Sequence, residues 1–344
     1  MPDYLVFGSC LRSELPFPEL AELRGRAPRW TLTLGSLDAD DSAETLSDAK
    51  LSGDCRIHIS RAKDRLRFSH SCAGTFELRG QGSEIVFDAD RAVSIDAART
   101  DLVSRLLLMS TDQDSVAWLH GSAARIGQSA VAFIGSSGAG KSTLALALAQ
   151  AGAEHICDDA LPIEPGHPPV VWASDGTVRL CSDTKRQFAP HANSVRRESD
   201  GKFVVARSAL RPEETASNAD VQLDSILDRH TDFRTPLSAL YLLAPVPATA
   251  STGVAQAAVG RRLLAPSAAI ALLIQHLKLG ALVAPDYPAS KMKQLGEIVR
   301  TVPVFELRIP RDWSLMADVV SQLVAWHNPG PVEQMANETA GIEK

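Results

Sequence analysis

"VAFIGSSGAGKSTLALALAQAGAEHICDDALPI", residues 131–163, is the stretch that decides the fold. "AVAFI" reads as a buried strand, and Gly135–Ser142, "GSSGAGKS", satisfies G-x-x-x-x-G-K-[ST] at every fixed position. "TLALALAQA" then reads as a helix, with Gly152 as its stop signal. Glycines in such a loop let successive N–H groups turn inward and form an anion-binding nest. The helix N-terminus adds its positive dipole end. "EHICDD" is expected to return as a strand parallel to "AVAFI", making a right-handed strand–helix–strand unit. Its end carries Asp158 and Asp159 to the edge of the sheet where ligands of such folds bind.

Upstream, "LHGSAARIGQSAVAFIGSSG" places Gly127-Gln128 between two strand-like runs, which fits a two-residue hairpin turn. If Ile126 pairs with Ser129, antiparallel counting puts His120 opposite Gly135. An imidazole and two carboxylates are thus expected at the mouth of one phosphate site. Lys141 is expected to reach terminal phosphates and the Ser142 hydroxyl to ligate Mg²⁺. A carboxylate beside a phosphate loop serves to hold Mg²⁺ or to position a nucleophile.

Further out, "PVVWASDGTVRLC" reads as a hairpin turning at Asp175-Gly176, and "PLSALYLLAP" as a buried strand. "SAAIALLIQHLKLG" reads as a helix from a Ser267 cap to Gly280, and "KMKQLGEIVRTV" as another before the strand "VFELRI". Residues 1–110 read as a β-rich domain, with strands "CRIHIS", "RLRFSH", "GTFELRG" and "SEIVFDAD". The acidic "LGSLDADDSAETLSDAKLSGD" reads as a loop. "DAARTDLVSRLLLMS" has helical spacing and connects the halves, so the second domain spans 111–326. Residues 327–344 have too little apolar content to pack and read as a disordered tail.

The chain has 344 residues, is 45% hydrophobic and 22% charged, and carries a formal charge of −6. That is the composition of a globular protein, with no global electrostatic attraction to nucleic acid or anionic membranes. The opening "MPDYLVFGSC" lacks the basic and apolar regions of a signal peptide, and no apolar run reaches membrane-spanning length. A cytoplasmic location is expected. Cys10, Cys55, Cys72, Cys157 and Cys181 are scattered and lack C-x-x-C spacing, arguing against a disulfide framework or zinc site. Arg179, Lys185, Arg186, Arg196, Arg197, Lys202 and Arg207 outnumber nearby acids. Most read as a solvated face; Arg179 and Lys202 are the candidates for contacting phosphate or an acidic substrate.

The combination of "LHGS", phosphate loop and Asp-Asp pair one helix later, over about residues 116–165, resembles the HPr kinase/phosphorylase family and its HPr-kinase-like relatives. The closing "TVPVFELRIPRDW" is similar to kinase-like members of peptide-modification gene clusters, including lasso-peptide precursor kinases. The resemblance implies an α/β fold: a P-loop kinase core of HPr-kinase type with a mixed sheet, preceded here by the β-rich domain. It implies ATP phosphates and Mg²⁺ on Gly135, Ser136, Ser137, Gly138, Ala139, Gly140, Lys141, Ser142 and Thr143. It implies His120 orienting the acidic pair, Asp159 accepting a proton from a serine hydroxyl, and Asp158 assisting with metal or substrate. Homo-oligomers are a further implication.

The chain departs from true HPr kinases in lacking their Gly-rich segment after the Asp pair, where it reads "VVWASDGTVRLCSDTKRQF". Its N-terminal domain also differs from their regulatory domain. The leading expectation is therefore a Mg-ATP-dependent serine kinase acting on a peptide or small protein, for example a lasso-type precursor. HPr kinase/phosphorylase, a nucleotide-binding regulator without phosphotransfer, and a small-molecule kinase are the alternatives. The chain carries no N-K-x-D guanine-reading motif.

Overall fold

The computed structural model describes residues 1–38, 42–50, 54–89, 94–111, 116–174, 176–190, 196–197, 201–206, 233–246, 259–279, 287–310 and 312–327. The chain is a mixed α/β protein built on two large sheets. The first has eight strands, all from the N-terminal third, and includes the four strands expected there. Glu44–Lys50, inside the acidic stretch expected to be a loop, is its edge strand. Its side chains are nearly all polar and partly exposed, so pairing with Arg56–Ala62, and not burial, makes it a strand.

Two cysteines correct the expectation drawn from spacing: Cys55 and Cys72 form a disulfide. Arg56–Ala62 and Arg65–His70 form a hairpin closed by Lys63 and Asp64, with Ile57 opposite His70. Two residues further out, the same register sets Cys55 against Cys72. Cysteines 17 apart look scattered along the chain but are neighbours across a hairpin.

The second sheet has nine strands. Gly121–Ile126 and Ser129–Ile134 pair antiparallel with Ile126 opposite Ser129 and Gly121 opposite Ile134, so His120 faces Gly135. Glu154–Cys157 runs in the direction of the phosphate-loop strand but pairs with Gly121–Ile126, which lies between them. The long strand Arg234–Val246 lies on the loop strand's other side, parallel to it, and itself pairs parallel with Val304–Pro310.

The expected hairpin around Asp175-Gly176 does not form. Val170–Trp172 belongs to the large sheet, whereas Thr177–Leu180 pairs with Phe203–Ala206 in a separate small sheet. Gly176 has φ +77°, so the turn signal is real, but it marks a change of sheet; Asp175 lies outside the described residues. The helix expected from Ser267 starts one residue earlier, with Pro266 at its first position, and passes into a 3₁₀ turn ending at His276. Gly280 and residues 328–344 lie outside the described residues, whereas His327, the first residue of the expected tail, ends a helix. A last helix, Met316–His327, packs on the phosphate-loop helix.

One apolar core runs through both halves. Phe7 of the N-terminal sheet meets Trp118 edge-on at 4.8 Å, and Trp118 meets Trp172 at 6.2 Å. Each fully buried ring contributes on the order of 2–3 kcal/mol. The connecting helix, Ile95–Asp101, passes through the π-helical turn Leu102–Leu106 into Leu107–Ser110. Its end is pinned from both sides. Trp30 Nε1 donates to Ser110 Oγ at 2.8 Å, and Trp118 Nε1 donates to Thr111 Oγ1 at 2.9 Å. Among the described residues, no helix is long and apolar enough to cross a membrane.

Candidate functional site

The phosphate loop leaves Ser129–Ile134 with Gly135 at φ +157°, Gly138 at +77° and Gly140 at +104°, the last directly preceding the helix Lys141–Gln150. Gly138 and Gly140 occupy backbone conformations that cost other residues dearly. The helix ends in a Schellman motif. Gly152 at φ +97° donates to Ala149 O at 3.1 Å, and Ala153 donates to Leu148 O at 3.0 Å. A stop this sharp is what turns the chain back towards Asp158 within so few residues.

Lys141 is buried, and its Nζ donates to Gly135 O at 2.8 Å and Ser136 O at 3.0 Å, within the loop itself. Burial pulls its pKa down to about 8, against the attraction of Asp158 and Asp159. The Thr143 hydroxyl meets Thr184 Oγ1 at 3.1 Å, facing the helix Ser182–Phe188. Ser142 is partly exposed and Ser136, Ser137 and Gly138 are exposed, while Ala139 is buried.

Behind the loop the two aspartates differ sharply. Asp158 is buried; Oδ1 accepts from Ser122 Oγ at 2.7 Å and Oδ2 from the Arg179 backbone N–H at 2.9 Å. Asp159 has φ +65°, and the Ala160 N–H closes a three-residue turn onto the Asp158 carbonyl at 2.7 Å. Such a conformation costs about 1–3 kcal/mol and persists only where surrounding contacts enforce it. Here they do. Asp159 pairs with Arg179 Nη1 at 2.9 Å, with His120 Nδ1 at 3.2 Å, and with Lys278 Nζ. His120 Nδ1 also lies 3.1 Å from the Asp159 carbonyl oxygen. Burial alone would raise the Asp159 pKa, but Lys278, His120 and Arg179 together hold it well below the ordinary carboxylate range.

The cations face a cleft of about 510 Å³. Its lining includes Gly135, Ser136 and Ser137 of the loop, His120, Arg179, and the run Gln275–Lys278. Thr100, Ser104 and Arg105 of the connecting helix complete it. Burial, with Lys141 and His120 nearby, pushes the His276 pKa down. Lys202 is close enough to depress Lys141 electrostatically. The structure therefore brings His120, both aspartates, Arg179 and Lys202 to the loop. Lys185, which stacks on Phe203 at 5.5 Å, and Arg186, paired with Asp183 at 3.2 Å, serve the small helix instead. Arg207 and the side chains of Arg196 and Arg197 lie outside the described residues.

Sequence reasoning missed Ser122, Lys278 and His276. Ser122 had a signal, because it lies two residues past His120 on a strand bound for the same edge. Lys278 had none: it lies 119 residues from the aspartate it holds, just past a helix that looked like core.

As a donor set, the loop, a buried lysine, and Arg179 and Lys278 beside one carboxylate suit a polyanion better than a neutral ligand. The glycine-rich loop, Lys141 and the Ser142 hydroxyl are the groups here that could hold nucleotide phosphates and Mg²⁺. No protein-family model and no curated protein matches the chain. Among solved structures, it shows a likeness to the Hpr(Ser) kinase/phosphatase from Coxiella burnetii, at 12% identity over 60% of this chain and 93% of that one. The TM-score is 0.29, a superposition too loose to bear on the chemistry.

Proposed function

We propose that the protein is a Mg-ATP-dependent kinase that phosphorylates a serine hydroxyl on a peptide or small protein. The observation that carries this reading is that a complete phosphate loop and the cations clamping a strained aspartate line one cleft. The loop N–H groups and Lys141 bind the phosphates, and Ser142 holds Mg²⁺. Asp158 retains lone pairs beyond its two hydrogen bonds and can share that task, while fixing the backbone of Arg179. Mg²⁺ supplies charge neutralisation on the nucleotide phosphates when bound.

Asp159 is the residue that orients and deprotonates the acceptor. While Lys278, Arg179 and His120 hold it, its carboxylate is a weak base. Nucleotide phosphates compete for the same cations, and as these turn to phosphate the Asp159 pKa rises towards a useful range. The acceptor oxygen then bonds to the γ-phosphorus, the bridging bond to the leaving ADP breaks, and the hydroxyl proton passes to Asp159. His120 keeps the carboxylate aimed.

The cleft is lined by residues from both halves of the chain. A lasso-type precursor peptide is the substrate class suggested by the closing "TVPVFELRIPRDW". Incubation with Mg-ATP and serine-containing precursor peptides, followed by mass spectrometry, tests the assignment. Phosphoserine is the expected product. ATP hydrolysis with no labelled peptide, and none on HPr, would favour a nucleotide-binding regulator instead.

A further inference from the structure

The cleft has a wall that the phosphate loop does not explain. Arg105 lines it from the connecting helix of the N-terminal half, on the π-helical turn Leu102–Leu106. Single π turns inside helices recur at functional sites, because they re-aim side chains that an unbroken helix would direct elsewhere.

The support behind Arg105 is built from buried charge. Its Nη1 donates to Asp101 Oδ1, and Asp101 is only 1% exposed. Asp101 Oδ2 in turn meets His70 Nδ1, and that ring is 9% exposed. Among the described residues, Asp101 is the only side-chain partner of the guanidinium; the Arg105 side chain is 27% exposed, and Nε and Nη2 are left for a ligand. A buried carboxylate with a cation in front of it is the arrangement already seen at Asp159, behind Arg179 and Lys278. The cleft thus has two carboxylate-backed cation sets, one from each half of the chain. Thr100 and Ser104 donate their hydroxyl protons to helix carbonyls at 2.9 and 2.6 Å, so Arg105 is the cation this helix offers.

We propose that Arg105 binds the terminal phosphate of the nucleotide, so that the N-terminal half completes the phosphate site with a guanidinium held by Asp101 and His70. This rests on the kinase reading above. An arginine supplied to the transferring phosphoryl group stabilises the charge that builds on its oxygens, and its planar fork engages two of them together. Asp101 and His70 are positioning residues.

The test titrates full-length protein, with Mg²⁺, against a non-hydrolysable ATP analogue and against ADP, by calorimetry. Arg105→Gln should weaken the analogue roughly tenfold or more while leaving ADP unchanged, because only the analogue has the phosphate Arg105 contacts. Arg105→Lys, which keeps charge but loses the fork, should fall between. Asp101→Asn should lower the analogue-to-ADP ratio without altering ADP affinity. Equal effects on both nucleotides, or none, would overturn the assignment. If Arg105→Gln does not fold, the ratio in Arg105→Lys decides, and an unchanged ratio overturns it equally. Wild-type protein that binds neither nucleotide would remove the phosphate-loop reading and this proposal together. Binding of both, insensitive to Arg105, removes this proposal alone.

Discussion

Two hairpins, one in each half, do the same job with different security. In the N-terminal sheet, Arg56–Ala62 and Arg65–His70 end with His70 against buried Asp101, and Asp101 holds Arg105. In the second sheet, Gly121–Ile126 and Ser129–Ile134 begin beside His120, which meets Asp159 among Arg179 and Lys278. Each histidine steadies a carboxylate, and each carboxylate presents cations to the same cleft. The difference lies in the backbone. Asp101 sits on a regular helix, whereas Asp159 is held at positive φ by Arg179, Lys278 and His120. Both hairpins are paired on both sides, but the N-terminal one is also stapled at its mouth by Cys55–Cys72, beside His70. Strain is concentrated where proton transfer is proposed, and covalent reinforcement where only positioning is needed.

The largest effect should come from the strained side. Asp159→Asn keeps the shape and tolerates positive φ, yet removes the base, so phosphotransfer should fall about 10²- to 10⁴-fold. Phosphopeptide yield by mass spectrometry measures it; an undiminished rate would break the distinction between the two carboxylates. On the stapled side, the Cys55→Ser/Cys72→Ser double variant should lose about 3 kcal/mol, as expected for a loop of this length. Denaturant melts with and without reductant check this, and a reductant-insensitive wild type would count against the staple.

Ser122→Ala probes the support beneath the Asp pair. It leaves a buried Asp158 oxygen without its 2.7 Å donor and should cost about 1–3 kcal/mol in the same melts. The smallest effect concerns pH. Lys141 must be protonated to hold phosphate, and its pKa is near 8. As pH rises from 7 to 9 the protonated fraction falls, so ATP-analogue affinity should drop roughly tenfold. Lys141→Met should start weaker and show no such slope. A flat wild-type profile would mean Lys141 stays charged despite its burial.

Reading the chain alone recovered one hairpin in register and missed the consequence of the other. Gly127-Gln128 gave a turn from which His120 could be counted to Gly135. Lys63-Asp64 supports the same counting, and it would have set Cys55 opposite Cys72; spacing rules for linear cysteine motifs hid the pair. The Asp175-Gly176 signal was read as a hairpin because a local turn looks the same whether its strands pair or part. Glu44–Lys50 was illegible because an exposed edge strand needs no apolar alternation.

The features legible along the chain are local: the phosphate loop between its strand and helix, the turn that registers His120, the stop at Gly152, and the Asp pair that follows. Each rests on backbone geometry that nearby residues dictate. Tertiary structure added Lys278 at Asp159 and the wall that closes the cleft. Lys278 arrives from 119 residues away and Arg105 from the other half. Their burial against carboxylates depends on how two sheets share one core, and no short-range pattern encodes that packing.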